Sequence, residues 1–159
     1  MLAQHSPAPD FTLRDHNGAG VSLTSLLDRG PLVLYFYPAD FTPLCTAEAC
    51  SFRDTFADPD LESAGLSIAG VSPQSVESHR KFRDKFSLNF PLLSDPDKTV
   101  IKAYEAAMPF GLGTRRVTYL IDPDKTVVDA VEANFGLGKH NAFIERAIAH
   151  ARGAQAASG

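Results

Sequence analysis

The run Leu32-Val33-Leu34-Tyr35-Phe36 constrains this chain more than any other stretch. A strand with one wet face alternates apolar and polar side chains. A run that is apolar on both faces therefore predicts a central strand covered on each side. Pro38 stops it. Thr42 then takes a helix-capping position, with Pro43 at the first helical position, where its missing N–H costs nothing. A buried strand followed by a helix from Thr42 to about Phe56 is the opening unit of an α/β layer.

The remaining pattern extends that layer. PAPDFTLRDHNG reads as a short strand ending in a turn at Asn17-Gly18, and Val21-Ser22-Leu23 alternates like another strand. Thr24 is placed to cap a brief helix through Leu27. Leu66 to Val71 is a strand, and Ser75 caps a helix through Phe86 with Val76, Phe82 and Phe86 near one face. Phe90 to Leu93 is extended, and Lys98 to Ala106 is a short helix. Val117–Ile121 and Val127–Val131 form a hairpin across Asp122-Pro123-Asp124-Lys125. Lys139 to about Ala151 is a final helix burying Phe143, Ile144, Ala147 and Ile148. The expected fold is α/β: a central mixed sheet flanked by helices, with an order that a thioredoxin-like arrangement fits. Residues 1–152 read as one domain and residues 153–159 as a disordered tail.

Composition narrows the function. With 159 residues, 44% hydrophobic and 21% charged, the chain can build a core without disulfides. A net charge of -4 gives no support to nucleic-acid binding. No apolar run approaches membrane-spanning length, and MLAQHSPAPDF lacks a signal pattern, so a cytoplasmic location is expected. The glycines of PFGLGTR and NFGLGKH lack nucleotide-loop spacing, so no cofactor is expected. Zinc sites want four ligands, and the chain has two cysteines with five scattered histidines, His5, His16, His79, His140 and His150. The histidines read as surface residues, and no metal is expected.

The two cysteines, Cys45 and Cys50, carry the chemistry. Cys45 falls in the first turn of the helix after the buried strand. Unpaired N–H groups and the helix dipole there favour a thiolate, which is the nucleophilic form. The alternative is a small buried apolar residue. Five residues along a helix rotate by about 140° and rise by about 7.5 Å, which puts the two Cα atoms roughly 8.7 Å apart. Disulfides want less than about 7 Å. The pair cannot bond while the helix is wound, and so small a ring contributes only about 2 kcal/mol. The spacing suits a bond that forms and breaks as the first turns unwind.

Pro38, Thr42 and Cys45 form Pro-x-x-x-Thr-x-x-Cys, which resembles the active-site motif of the peroxiredoxins. PADFTPLCTAEACSFRD is similar to the bacterioferritin comigratory protein, or peroxiredoxin Q, branch, marked by a second cysteine five residues on. APDFTL, FPLLSDP and Arg116-Val117-Thr118-Tyr119-Leu120-Ile121-Asp122 also match, from about Ala8 to the last helix. The resemblance implies a peroxidatic Cys45 and a resolving Cys50. Thr42 would bond the peroxide, Pro38 would shield the sulfur, Arg116 would stabilise the reacting atoms, and Glu48 would orient the arginine. Arg115 is adjacent, but strand alternation lets only one of the two reach the site, and the alignment favours Arg116. Leu44 stands where the branch often has glycine. Taken singly, Thr42 and Pro43 suit any helix start, Arg116 a surface and Glu48 a solvated helix face. Taken together, they imply a peroxidase of hydrogen peroxide and small organic hydroperoxides, passing through a Cys45–Cys50 disulfide and recycled by thioredoxin or a similar dithiol reductant, and similarity to that branch implies a monomer. The alternatives are a thiol-disulfide oxidoreductase, which usually carries Cys-x-x-Cys, or a peroxide sensor acting on a protein partner.

Overall fold

A computed structural model describes residues 1–111, 113–132 and 138–158, with the side chains of Gly111, 138–140 and 154–158 excepted. Residues 134–137 of NFGLGKH and the side chain of His140 therefore lie outside the described residues. In chain order the elements are β1 (Thr12–Arg14), β2 (Gly20–Ser22), α1 (Leu23–Leu26), β3 (Leu32–Phe36), α2 (Pro43–Thr55) and α3 (Pro59–Ser63). There follow β4 (Ser67–Ser72), α4 (Val76–Phe86), β5 (Leu92–Ser94), α5 (Thr99–Ala103), β6 (Val117–Ile121), β7 (Val127–Glu132) and α6 (Gly138–Ser158).

The strands form one mixed sheet in the order β2-β1-β5-β4-β3-β6-β7. β3 runs parallel to β4, which runs parallel to β5, while β6 lies antiparallel on the other side of β3. β3 is thus central, as its apolar run requires. Leu32, Leu34 and Phe36 enter one core with Ile101 and Tyr104. Val33, Tyr35 and Tyr37 enter the other with α2, Phe82 and Phe143. Each face is a separate apolar layer, and the alternation of β3 is what joins them.

Local chemistry explains the element ends. Ser22, rather than Thr24, caps α1: its hydroxyl accepts from Ser25 N–H while Ser25 reciprocates, a complete capping box. Leu23 is accordingly helical and not the end of a strand. Ser75 caps α4 by accepting from Ser78 N–H at 3.1 Å. The helix α3 went unread in the sequence, although Asp58 caps it and Pro59 opens it. α5 is shorter than Lys98–Ala106 because Lys98 and Glu105 both take left-handed backbone. α6 continues through residues 153–158, where the sequence reading expects a disordered tail. The reason is composition: RGAQAAS is rich in alanine, the strongest helix former.

One glycine shapes the region below α2. Gly70 pairs with Tyr35 across β3 and β4. A Cβ at position 70 would lie 2.8 Å from Tyr35 Cζ. Only glycine leaves room for that ring, which packs against Phe52 of α2 with centroids 4.7 Å apart.

Candidate active site

The site begins where β3 ends. Tyr37 N–H still bonds Val71 O, and Pro38 then breaks the ladder. Phe41 adopts φ +66°, a left-handed conformation unusual for a bulky side chain. Thr42 is extended at φ -73°, ψ 148° and occupies the N-cap position of α2. Its hydroxyl makes no capping bond and turns instead toward Ala39 O at 3.4 Å. The first helical bond runs from Thr46 N–H to Thr42 O at 2.8 Å. Pro43 has no N–H, so those of Leu44 and Cys45 stand outside the helical ladder.

Cys45 is 1% exposed. It opens a buried stripe along α2 that continues through Glu48, Ala49 and Phe52. Arg116 is half-buried and donates from Nη1 to Cys45 Sγ at 3.0 Å. Sheet topology brings them together. β6 is antiparallel to β3 with Val117 opposite Phe36, so Arg116 lies one residue beyond that pair, at the edge where β3 turns into α2. Arg115 N–H is tied to Ala106 O at 2.6 Å. Of the adjacent arginines, Arg116 is the one whose side chain bonds the sulfur.

The other sequence candidates fall nearby. Pro38 and Thr42 are half-buried on the turn before Cys45. Glu48 is buried one turn after Cys45. Cys50 is half-buried, off the buried stripe, and both cysteines are free thiols in a wound helix. Among the described residues no group of three His, Cys, Asp or Glu side chains is placed to hold a metal ion. Two hollows of about 520 Å³ each, one beside Phe56, Ile68 and Phe90 and the other beside Leu61, Glu145 and Ile148, do not include Cys45 in their lining.

Two histidines correct the surface reading. His16 is buried, and His79 is fully buried. His79 Nδ1 meets Asp40 Oδ2 at 2.8 Å, and Tyr37 donates its hydroxyl to Asp40 Oδ1 at 2.7 Å. Burial pushes the Tyr37 phenol well above its ordinary range, with Tyr35 and Asp40 adding to it, so it remains a donor. The signal was present in the sequence: His79 lies in phase with Val76, Phe82 and Phe86 on the apolar stripe of α4.

A buried thiol bonded by arginine at the start of a helix, on a mixed sheet of this order, defines the peroxiredoxin form of the thioredoxin-like fold. The sequence profile of the AhpC/TSA family matches residues 5–130, and the chain belongs to that family. A chloroplastic peroxiredoxin Q of rice, Oryza sativa subsp. japonica, is 43% identical over 121 residues, covering 76% of this chain and 54% of the relative. The chain thus spans about half the length of that relative. A peroxiredoxin bcp of Coxiella burnetii is 43% identical over 120 residues, covering 72% of this chain and 78% of the relative. The crystal structure of peroxidoxin BcpB from Mycobacterium tuberculosis superposes with a TM-score of 0.85 at 33% identity, covering 96% of this chain and 98% of that one. The bacterioferritin comigratory protein of Xanthomonas campestris, described for alkyl peroxide reduction, gives 0.80 at 34% identity, covering 89% and 92%.

Proposed function

We propose that the protein is a thiol peroxidase that reduces hydrogen peroxide and small organic hydroperoxides. The observation that carries this reading is the 3.0 Å bond from Arg116 to Cys45 Sγ, in the first turn of a helix that holds a second thiol five residues on. Cys45 is the peroxidatic residue. Its thiolate attacks one oxygen of the peroxide, the O–O bond breaks, and the departing oxygen takes a proton to leave as water or an alcohol. Charge moves from sulfur to that oxygen as the bond breaks, so donors placed around it lower the barrier. Arg116, the Thr42 hydroxyl once it turns from Ala39 O, and the open N–H groups of α2 are the donors. Pro38 covers the sulfur on the turn side, and Glu48 steadies Arg116.

The product is a sulfenic acid on Cys45. Cys50 is the resolving residue: its thiol attacks the sulfenic sulfur, water leaves, and a disulfide forms. The two electrons that reduce the peroxide come from these two thiols. Helix geometry sets the Cα atoms roughly 8.7 Å apart while α2 is wound, so the second step follows unwinding. A dithiol protein of the thioredoxin type then restores both thiols. A cycle that returns both thiols to the reduced form suits a reducing compartment such as the cytoplasm, and likeness to this branch supports a monomer. No helix among the described residues is long and apolar enough to cross a membrane.

The intact mass of the reduced protein after one equivalent of hydrogen peroxide tests the reading. A loss of about 2 Da with no thiol left to alkylate is expected. An unchanged mass with both thiols still open to alkylation would overturn it. Turnover with a thioredoxin system separates an enzyme from a sensor.

A further inference from the structure

Behind the thiol lies a buried polar network that the peroxide chemistry does not use. Asp40 stands two residues before Thr42 and is buried. Its carboxylate faces the Tyr37 hydroxyl at 2.7 Å, the Ser78 hydroxyl at 2.7 Å and His79 Nδ1 at 2.8 Å. A carboxylate only accepts, so Nδ1 carries a proton. The opposite ring nitrogen of His79 faces Leu93 O at 3.1 Å and Ser72 Oγ at 3.4 Å. Burying such groups is costly unless donors replace the lost water, and here they do. The network ties the end of β3, the turn, α4, β4 and β5 at one point.

That point sits beside strained backbone. Phe41, next to Asp40, holds φ +66°. A bulky residue keeps this conformation only where its surroundings over-determine it. α4 holds the turn on both sides. Ser78 and His79 take the carboxylate before Phe41, and Phe82 and Phe86 take its ring, with centroids 5.1 Å and 6.4 Å away. The turn so held delivers Thr42 to the start of α2 with its hydroxyl unspent on the helix.

We infer that Asp40 and His79 are a buried positioning pair that fixes the Phe41–Thr42 turn against α4 and so sets how fast Cys45 reacts with peroxide. The inference rests on the peroxidase reading. Among the described hydrogen bonds neither residue reaches the sulfur, so both act through the turn. Reaction with peroxide needs the sulfur, Thr42 and Arg116 arranged around one O–O bond. Alkylation by iodoacetamide needs the sulfur and access alone. Loss of positioning therefore slows the first reaction more than the second, whereas general damage to the fold moves both together.

The test compares wild type, His79→Leu, His79→Asn and Asp40→Asn. Each is reduced, checked for native circular dichroism, and followed for Cys45 oxidation by hydrogen peroxide and for alkylation at one pH. His79→Leu is expected to lose at least about tenfold in the peroxide rate, with alkylation little changed. His79→Asn keeps a donor for Asp40 and is expected to recover most of the loss. A His79→Leu variant oxidised at the wild-type rate, or slowed equally in both reactions, would overturn the inference. Should His79→Leu fail to fold, Asp40→Asn decides: a selective peroxide defect supports the pair, and a wild-type rate overturns it. A wild type inert to peroxide sinks the peroxidase reading itself, an outcome read before any variant.

Discussion

Arg116 is the residue on which the proposed chemistry leans hardest, because among the described residues its guanidinium is the one side-chain donor that bonds the sulfur. Arg116→Met keeps the stem and removes the donor, and is expected to slow Cys45 oxidation by about 100-fold or more, as loss of a preorganised donor at developing charge does. Arg116→Lys restores charge without the planar fork and should recover only part of the rate. Stopped-flow mixing with hydrogen peroxide measures both, and equal rates in wild type and Arg116→Met would remove Arg116 from the mechanism. Tyr35 offers a stability test. Its hydroxyl is buried with no hydrogen-bond partner among the described residues, beneath α2 and against Phe52. Tyr35→Phe removes a desolvated polar group at little change in shape. It is expected to raise stability by about 1 kcal/mol in urea unfolding, and a fall would mean that the hydroxyl has a partner.

At the scale of elements, α2 has a weakly supported start. Its N-cap side chain makes no capping bond, and its first turn has no acidic residue to meet the helix dipole. Each device is commonly worth up to about 1 kcal/mol. The helix start is therefore held by packing of the buried stripe, with little support from its own end. Disulfide formation is expected to open it: amides 46–50 should lose hydrogen-exchange protection on oxidation and regain it on reduction. In Cys50→Ser, peroxide should leave those amides protected and the sulfenic acid trappable. Unchanged protection in a fully disulfide-bonded wild type would mean that the bond forms without unwinding. This helix was largely legible in the sequence, since Thr42-Pro43 marks its start and Cys45, Ala49 and Phe52 recur at helical spacing. Its silent partner was α4. The phase of His79 on the apolar stripe pointed inward, but its partner Asp40, thirty-nine positions earlier, left no mark in that pattern. Sequence periodicity gives the face of a helix but not the distant group that will meet it.

At the scale of the whole molecule, strands were readable one at a time, whereas their order depends on long-range pairing. β1 lies beside β5, and β6 comes to β3 across the rest of the chain. The place of Arg116 beside Cys45 was therefore implied by family resemblance alone, since no local signal fixes the antiparallel pairing of β6 with β3. The same long-range packing gives the fold an acid-sensitive seam. The β1–β2 turn docks on α4 through Arg80, whose Nε donates to His16 O at 3.2 Å. His16 is buried there, and burial, with Arg83 adding, holds its imidazole below the ordinary value of 6.5. The folded state thus keeps His16 neutral where the unfolded chain has begun to take a proton. Below about pH 6.5 the unfolded state binds more protons, so this group's contribution to stability falls as pH drops from there toward the lower folded value. Urea unfolding of wild type and His16→Asn at pH 7.5 and pH 5.5 isolates the effect, because the carboxylates and the other histidines are shared. Wild type is expected to lose more stability than His16→Asn over that interval, and equal losses would show that the turn protonates without leaving α4.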